Sequence, residues 1–166
     1  MQVQSKSDTA GTLDRLIEDA LPDQRGLGAW QKLIRAHASL MRELATDLVT
    51  KTGLTLGDFD VLAQLGHAGG ELRMTDLAAR AFSSRSGMTR RIDRLVEEGL
   101  VGRCGAGADA RGVVVTLTDT GVERLRGAVP IHLRRVSELF IEPLDDQELA
   151  VLEGALDKVT TDCSFG

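Results

Sequence analysis

Apolar residues recur three and four positions apart through most of the chain. Leu13, Leu16, Ile17, Ala20 and Leu21 predict a short amphipathic helix over 9–21, closed by Pro22. Trp30, Ile34, His37, Met41, Leu44 and Leu48 predict a long helix over 29–51. Leu33, Leu40 and Val49 widen its stripe, and Gly53 ends it. Thr55 and Asp58 have capping-box spacing and open a helix that runs to His67. Leu72 begins a minimal strand, and Thr75 is expected to cap a short helix over 76–82. A further helix spans 84–98 and stops at Gly99. The apolar runs 100–104 and 113–117 then read as the two strands of a hairpin. Thr118 caps a helix carrying Val122, Leu125, Val129, His132, Val136 and Leu139, which Pro130 should kink and Pro143 terminate. Asp145 and Glu148 start a last helix bearing Leu149, Leu152, Leu156 and Val159.

This order is helical arm, helix–turn–helix, β-wing, helical arm. The expected fold is mainly α with a small β-wing: a winged helix-turn-helix whose N- and C-terminal helices form a dimerisation region. The expected divisions are an N-terminal extension with a short helix (1–28), a dimerisation helix (29–54), the winged helix-turn-helix (55–117) and C-terminal dimerisation helices (118–166). The apolar stripes of the arms exceed what the small central unit can bury, so a homodimer about a two-fold axis is expected. Such a dimer offers two reading helices to half-sites about one duplex turn apart.

Composition narrows the function. The chain has 166 residues, 42% of them apolar but only 3% aromatic, and Tyr is absent, so the core must be built from Leu, Val, Ala and Ile. No apolar stretch reaches membrane-spanning length, and residues 1–8 are polar. A cytoplasmic location without a membrane partner is therefore expected. Cys104 and Cys163 are far apart and expected to be unpaired, with Cys104 in a small apolar role on the first wing strand. His37, His67 and His132 are scattered, so no metal site is expected. Neither a nucleophile–base pair nor a phosphate loop is visible. The chain is read as a non-enzyme without catalytic residues or cofactor.

Charge is unevenly placed. The formal net charge is −5, yet Arg80, Arg85, Arg90, Arg91 and Arg94 face a single acid, Asp93, within residues 80–95. Screening limits phosphate attraction to about 10 Å, so this local excess outweighs the total. On the wheel of the 84–98 helix, Met88, Ile92, Leu95 and Val96 face the core, and Ser86, Arg90 and Arg94 lie opposite. Arg90 can donate two bonds to guanine O6 and N7, and Ser86 and Thr89 can reach bases or phosphates. The helix start near Ser84 favours a phosphate. Thr75, Ser84, Arg85, Ser86, Thr89, Arg90 and Arg94 are thus the helix residues expected at double-stranded DNA. Ordinary surface pairs (Arg90 with Asp93, Arg94 with Glu98) are the competing reading of the same face. The small, glycine-rich loop 105–112 carries Arg111, which a slim hairpin could place in a narrow minor groove, oriented by Asp109.

Two motifs occur in order at this point. They are Ser84-x-Ser86-Gly87-x-Thr89-Arg90-x-x-Asp93-Arg94-Leu95-x-x-x-Gly99-Leu100-Val101 and Asp109-x-Arg111-x-x-x-Val115-x-Leu117-Thr118-x-x-Gly121. Together they resemble the recognition helix and wing signature of the MarR (multiple antibiotic resistance regulator) family, and the resemblance extends over about residues 27–160. It implies a winged-helix homodimer on palindromic operator DNA, usually a repressor. It also implies major-groove roles for Ser84, Ser86, Thr89 and Arg90, a minor-groove role for Arg111, and a small aromatic or anionic ligand between arms and reading head. The cysteine that peroxide-sensing members carry near the start of the first long helix is absent from residues 29–51. The N-terminal helix resembles the urate-responsive branch. Asp60 and Arg91 stand at positions similar to that branch's ligand residues, while its tryptophan position falls near Ala20. Trp30 and His37, on the stripe of the first long helix, complete the candidate ligand residues. The alternative function is a winged-helix module that binds a protein rather than DNA.

Overall fold

A computed structural model describes residues 4–21, 23–80, 85–105 and 112–161. The chain divides into two units, residues 1–41 and 42–166. In the first, the described residues form α1 (Gln4–Ala20) and the opening turns of α2 (Leu27–Thr52). This unit buries little of its apolar stripe. Leu13, Leu16 and Trp30 are 58%, 59% and 60% exposed, and Leu33, Ile34 and Met41 are also open.

The second unit contains the end of α2, then α3 (Leu56–His67), β1 (Glu71–Arg73), α4 (Met74–Arg80), α5 (Arg85–Glu97), β2 (Val101–Cys104), β3 (Val114–Leu117), α6 (Asp119–Val136) and α7 (Asp146–Thr161). The three strands form an antiparallel sheet in the order β1-β3-β2. Val115 is the hinge of the register, opposite Leu72 on one side and Arg103 on the other, and it is fully buried. Around it pack Leu62 and Leu65 of α3, Leu77 of α4, and Met88, Ile92 and Leu95 of α5, all without solvent exposure. Each such side chain contributes about 1.5–3 kcal/mol of burial, which makes this core the rigid frame for α5.

Local signals in the sequence decide most boundaries. The Thr55–Asp58 capping box forms in full: the Asp58 N–H donates to Thr55 Oγ1 at 3.2 Å, and the Thr55 N–H donates to Asp58 Oδ2 at 3.2 Å. Asp145 and Glu148 form the same reciprocal pair at the start of α7, at 2.8 and 3.0 Å. Thr118 caps α6 by accepting from the Gly121 N–H at 3.0 Å.

Four expectations are corrected. Thr75 does not cap α4, because the helix begins one residue earlier. The Met74 N–H donates to Val113 O at 2.9 Å, so β1 passes directly into the helix, and the Thr75 hydroxyl instead lies 3.2 Å from Asp76 Oδ1. Val96, at the edge of the buried arc of α5, is exposed. Cys104 is exposed on β2 rather than packed. α6 contains Pro130 and ends at Val136, short of the stop expected at Pro143. A π-helical turn, Ser137–Ile141, follows, closed by the Glu142 N–H donating to Ser137 O at 2.9 Å. The expected extension of α4 to residue 82 falls outside the described residues.

Gly121, the last residue of the wing motif, has a steric explanation. A Cβ there would lie 2.1 Å from the Leu100 carbonyl oxygen and 2.8 Å from Leu117 Cδ1. Thr118 Oγ1, one turn earlier, donates towards the carbonyls of Gly99 (2.8 Å) and Leu100 (3.0 Å). The base of the wing therefore sits directly on the first turn of α6, and only a hydrogen at position 121 permits it.

Candidate nucleic-acid interface

Helix α5 presents two chemically different sides. Met88, Ile92 and Leu95 anchor one in the core, which turns Ser86, Thr89 and Arg90 to the surface. Arg90 has no carboxylate partner among the described residues, so its five donors remain available. Asp93, its partner in the competing surface-pair reading, is instead taken by Arg103 of β2, with Nη1 to Oδ1 at 2.5 Å. Arg103 also donates to Thr89 O at 3.4 Å. One arginine thus fastens the wing to α5 and neutralises the acid nearest to Arg90 in its helix sequence.

Two further α5 arginines, Arg91 and Arg94, reach back to α3. Arg94 Nη2 contacts Asp58 Oδ1, and its Nε lies 3.8 Å from Glu98. Arg91 Nε lies 3.6 Å from the same Asp58 oxygen. Asp58 is 4% exposed and is the buried acid of α3. Arg94, expected at the duplex, has an internal carboxylate.

The remaining candidates are placed as follows. Thr75 is exposed in the first turn of α4, and Arg85 is the first residue of α5. Ser84, Asp109 and Arg111 lie outside the described residues; the stretch 106–111 is flanked by Gly105 and Gly112, both with positive φ. No lysine occurs between Lys51 and Lys158, so every permanent cation of the winged region is a guanidinium. Glu71, Asp76 and Glu97 are exposed acids around it.

The candidate ligand residues are divided between the two units. Trp30 and His37 are exposed on α2 within residues 1–41. Asp60 is half-buried and accepts from Gln64 Nε2 at 3.5 Å, whereas Arg91 faces Asp58. A different cavity, missed as a unit by sequence reasoning, opens between α3 and α6. It measures about 380 Å³ and is lined by Phe59, Ala63, Gly66, His67, Leu125, Val129, His132 and Leu133. The Phe59 and His132 rings lie 4.6 Å apart, tilted by 40°. His132 Nδ1 is buried without a hydrogen-bond partner among the described residues. The only sequence signal was the helical spacing of His132 on its own stripe; Phe59 is 73 positions away.

Burial holds His132 below its ordinary value of 6.5, because charging it there would forfeit hydration. The folded state then binds its proton less readily than the unfolded chain. Stability is full above about pH 6.5 and declines as pH falls through the ordinary histidine range. Between about pH 7.5 and about pH 5.5, His132→Gln should lose less melting temperature than the wild type. Parallel losses in a thermal melt series would show that His132 is not the responsible group.

Among the described residues, no His, Cys, Asp or Glu group is suited to a metal ion, and no helix is long and apolar enough to cross a membrane. A buried-face helix showing arginine and hydroxyls, strapped to a three-stranded wing, defines a winged-helix DNA-binding protein. Comparison with known proteins agrees. A family model described as MarR family matches residues 52–112. The chain is 30% identical to AbsC, a MarR family transcriptional regulator from Streptomyces coelicolor, with a TM-score of 0.76, covering 82% of this chain and 93% of that one. It is 28% identical to Sco3205 from the same organism, a MarR family transcriptional regulator solved in complex with DNA (TM-score 0.76; 83% and 90% covered). The HTH-type transcriptional regulator PecS of Dickeya dadantii is 28% identical over 127 residues, which span 75% of this chain and 76% of PecS. The chain belongs to the MarR family of DNA-binding transcriptional regulators, and these relatives are regulators rather than enzymes.

Proposed function

We propose that the protein is a repressor that binds palindromic operator DNA as a homodimer and is released by a small ligand. The observation that carries this reading is the outward face of α5, where Arg90 stands exposed beside Ser86 and Thr89 while Met88, Ile92 and Leu95 fix the helix from behind. Arg90 reads a guanine in the major groove; Ser86, Thr89, Ser84, Arg85 and Thr75 contact phosphates or bases nearby; Arg111, oriented by Asp109, enters the minor groove. Arg94 contributes through Asp58 rather than at a base. The open apolar residues of α1, α2 and α7, among them Leu16, Trp30, Val151 and Val159, support pairing with a second copy. The DNA complex of the relative Sco3205 supports the duplex as partner.

The ligand side rests on the α3–α6 cavity. Its apolar lining, the Phe59 ring and the unpaired His132 nitrogen suit a small aromatic molecule carrying one polar group. Asp60 and Arg91 on the reading head, and Trp30 and His37 on the arm, are the further candidates, and an anion would suit Arg91. A ligand that prefers a dimer with misaligned reading helices weakens operator binding by that preference.

Selection from a random duplex pool should return an inverted repeat bound by a dimer in sedimentation. Its affinity should fall steeply with salt, by about 0.9 decades per decade of salt for each phosphate neutralised. Arg111→Ala should weaken binding at fixed salt. A flat titration with every duplex would turn the reading towards a protein-binding module.

A further inference from the structure

We infer that Asp58 is a positioning residue for DNA discrimination: it sets the orientation of α5 and withholds Arg91 and Arg94 from indiscriminate phosphate contact. The two oxygens of this carboxylate do different work. Oδ2 accepts from the Thr55 N–H and closes the cap of α3. Oδ1 faces α5 and meets both Arg94 and Arg91. A capping acid at a helix start has no need of burial, and burying a charge is costly unless partners compensate. Here the carboxylate is almost entirely buried, and both compensating groups come from the reading helix, 33 and 36 positions further along the chain.

Arg91 and Arg94 are three residues apart, so they lie on one side of α5 and converge on one oxygen. The helix is thereby tied to α3 at neighbouring turns, which fixes its roll as well as its distance. Gly57 makes the approach possible. A Cβ at that position would stand 2.5 Å from Arg91 Nη2 and 2.6 Å from its Cζ. The guanidinium of Arg91 therefore rests against the backbone of the first turn of α3. Two of the five arginines in residues 80–95 are in this way engaged internally, although each keeps part of its surface in solvent. Released, their long side chains would reach any phosphate, which adds affinity without sequence information.

This inference rests on α5 being the reading helix. Asp58→Asn keeps the shape and the cap acceptor but removes the charge. Titrations against the selected duplex and a scrambled duplex over a salt series are the test. The expected results are a salt slope steeper by about one for each arginine released and a ratio of selected to scrambled affinity lower by about tenfold. Gly57→Ala displaces only the flexible end of Arg91 and leaves Asp58 in place. It decides the question if the first variant does not fold, with an expected steepening of about one. An unchanged ratio and slope in the folded variants would overturn the inference. So would a parallel loss of both affinities that follows melting temperature with the slope unaltered, since that is the signature of a purely structural ion pair. If Arg90→Ala leaves binding to the selected duplex intact, the reading-helix assignment itself fails, independently of Asp58.

Discussion

Arg90→Ala is expected to weaken binding to the selected duplex by roughly ten- to a hundredfold, the worth of one bidentate arginine–guanine contact. The side chain stands on the exposed side of a helix whose opposite side is fully buried, and the acid nearest in sequence is already paired with Arg103. Its fork is therefore neither neutralised nor held away from the groove. Arg90→Lys separates charge from geometry. The lysine keeps the phosphate attraction but cannot donate two parallel bonds to one base edge. It should therefore preserve the salt slope and lose discrimination against a duplex with that single base pair changed. Equal affinity of both variants and the wild type in such titrations would remove Arg90 from base recognition.

Gly121→Ala is expected to be strongly destabilising for the packing of α6 against the wing base, with a loss of about 3 kcal/mol. The added carbon would meet the Leu100 carbonyl oxygen at 2.1 Å, and that backbone cannot yield without moving β2 or the first turn of α6. Melting temperature should fall by roughly 6–12 °C for a chain of this size. DNA affinity should fall with it, because β2 carries Arg103 and so the strap to α5. A melt superimposable on that of the wild type would show that the close approach of α6 to the wing base is absent in solution.

What could be read in advance was governed by locality. The buried side of α5 followed from the spacing of Met88, Ile92 and Leu95, because a helix turns by a fixed angle per residue. The caps at Thr55, Thr118 and Asp145 followed because donor and acceptor lie within three positions. The start of α4 did not, because it depends on a bond from Met74 to Val113, 39 positions away. Asp58 shows both cases on one side chain. Its capping oxygen was legible, whereas its second oxygen answers to arginines that a helical wheel places on a neighbouring helix without saying which way they turn. The wheel also gives no sign that Arg94, exposed on its helix, reaches Asp58 as well, or that Asp93 pairs with Arg103 on a strand. The Phe59–His132 contact escaped likewise, since two separate stripes reveal nothing about where they meet.

The absence of lysine from the winged region has a chemical consequence. Amine-directed reagents, including acyl donors and succinimidyl esters, find side-chain targets only at Lys6, Lys32, Lys51 and Lys158. Guanidinium groups do not react with them. A preparation acylated at these four lysines keeps every guanidinium of the winged region, so it can be tethered or labelled without altering that region's side chains.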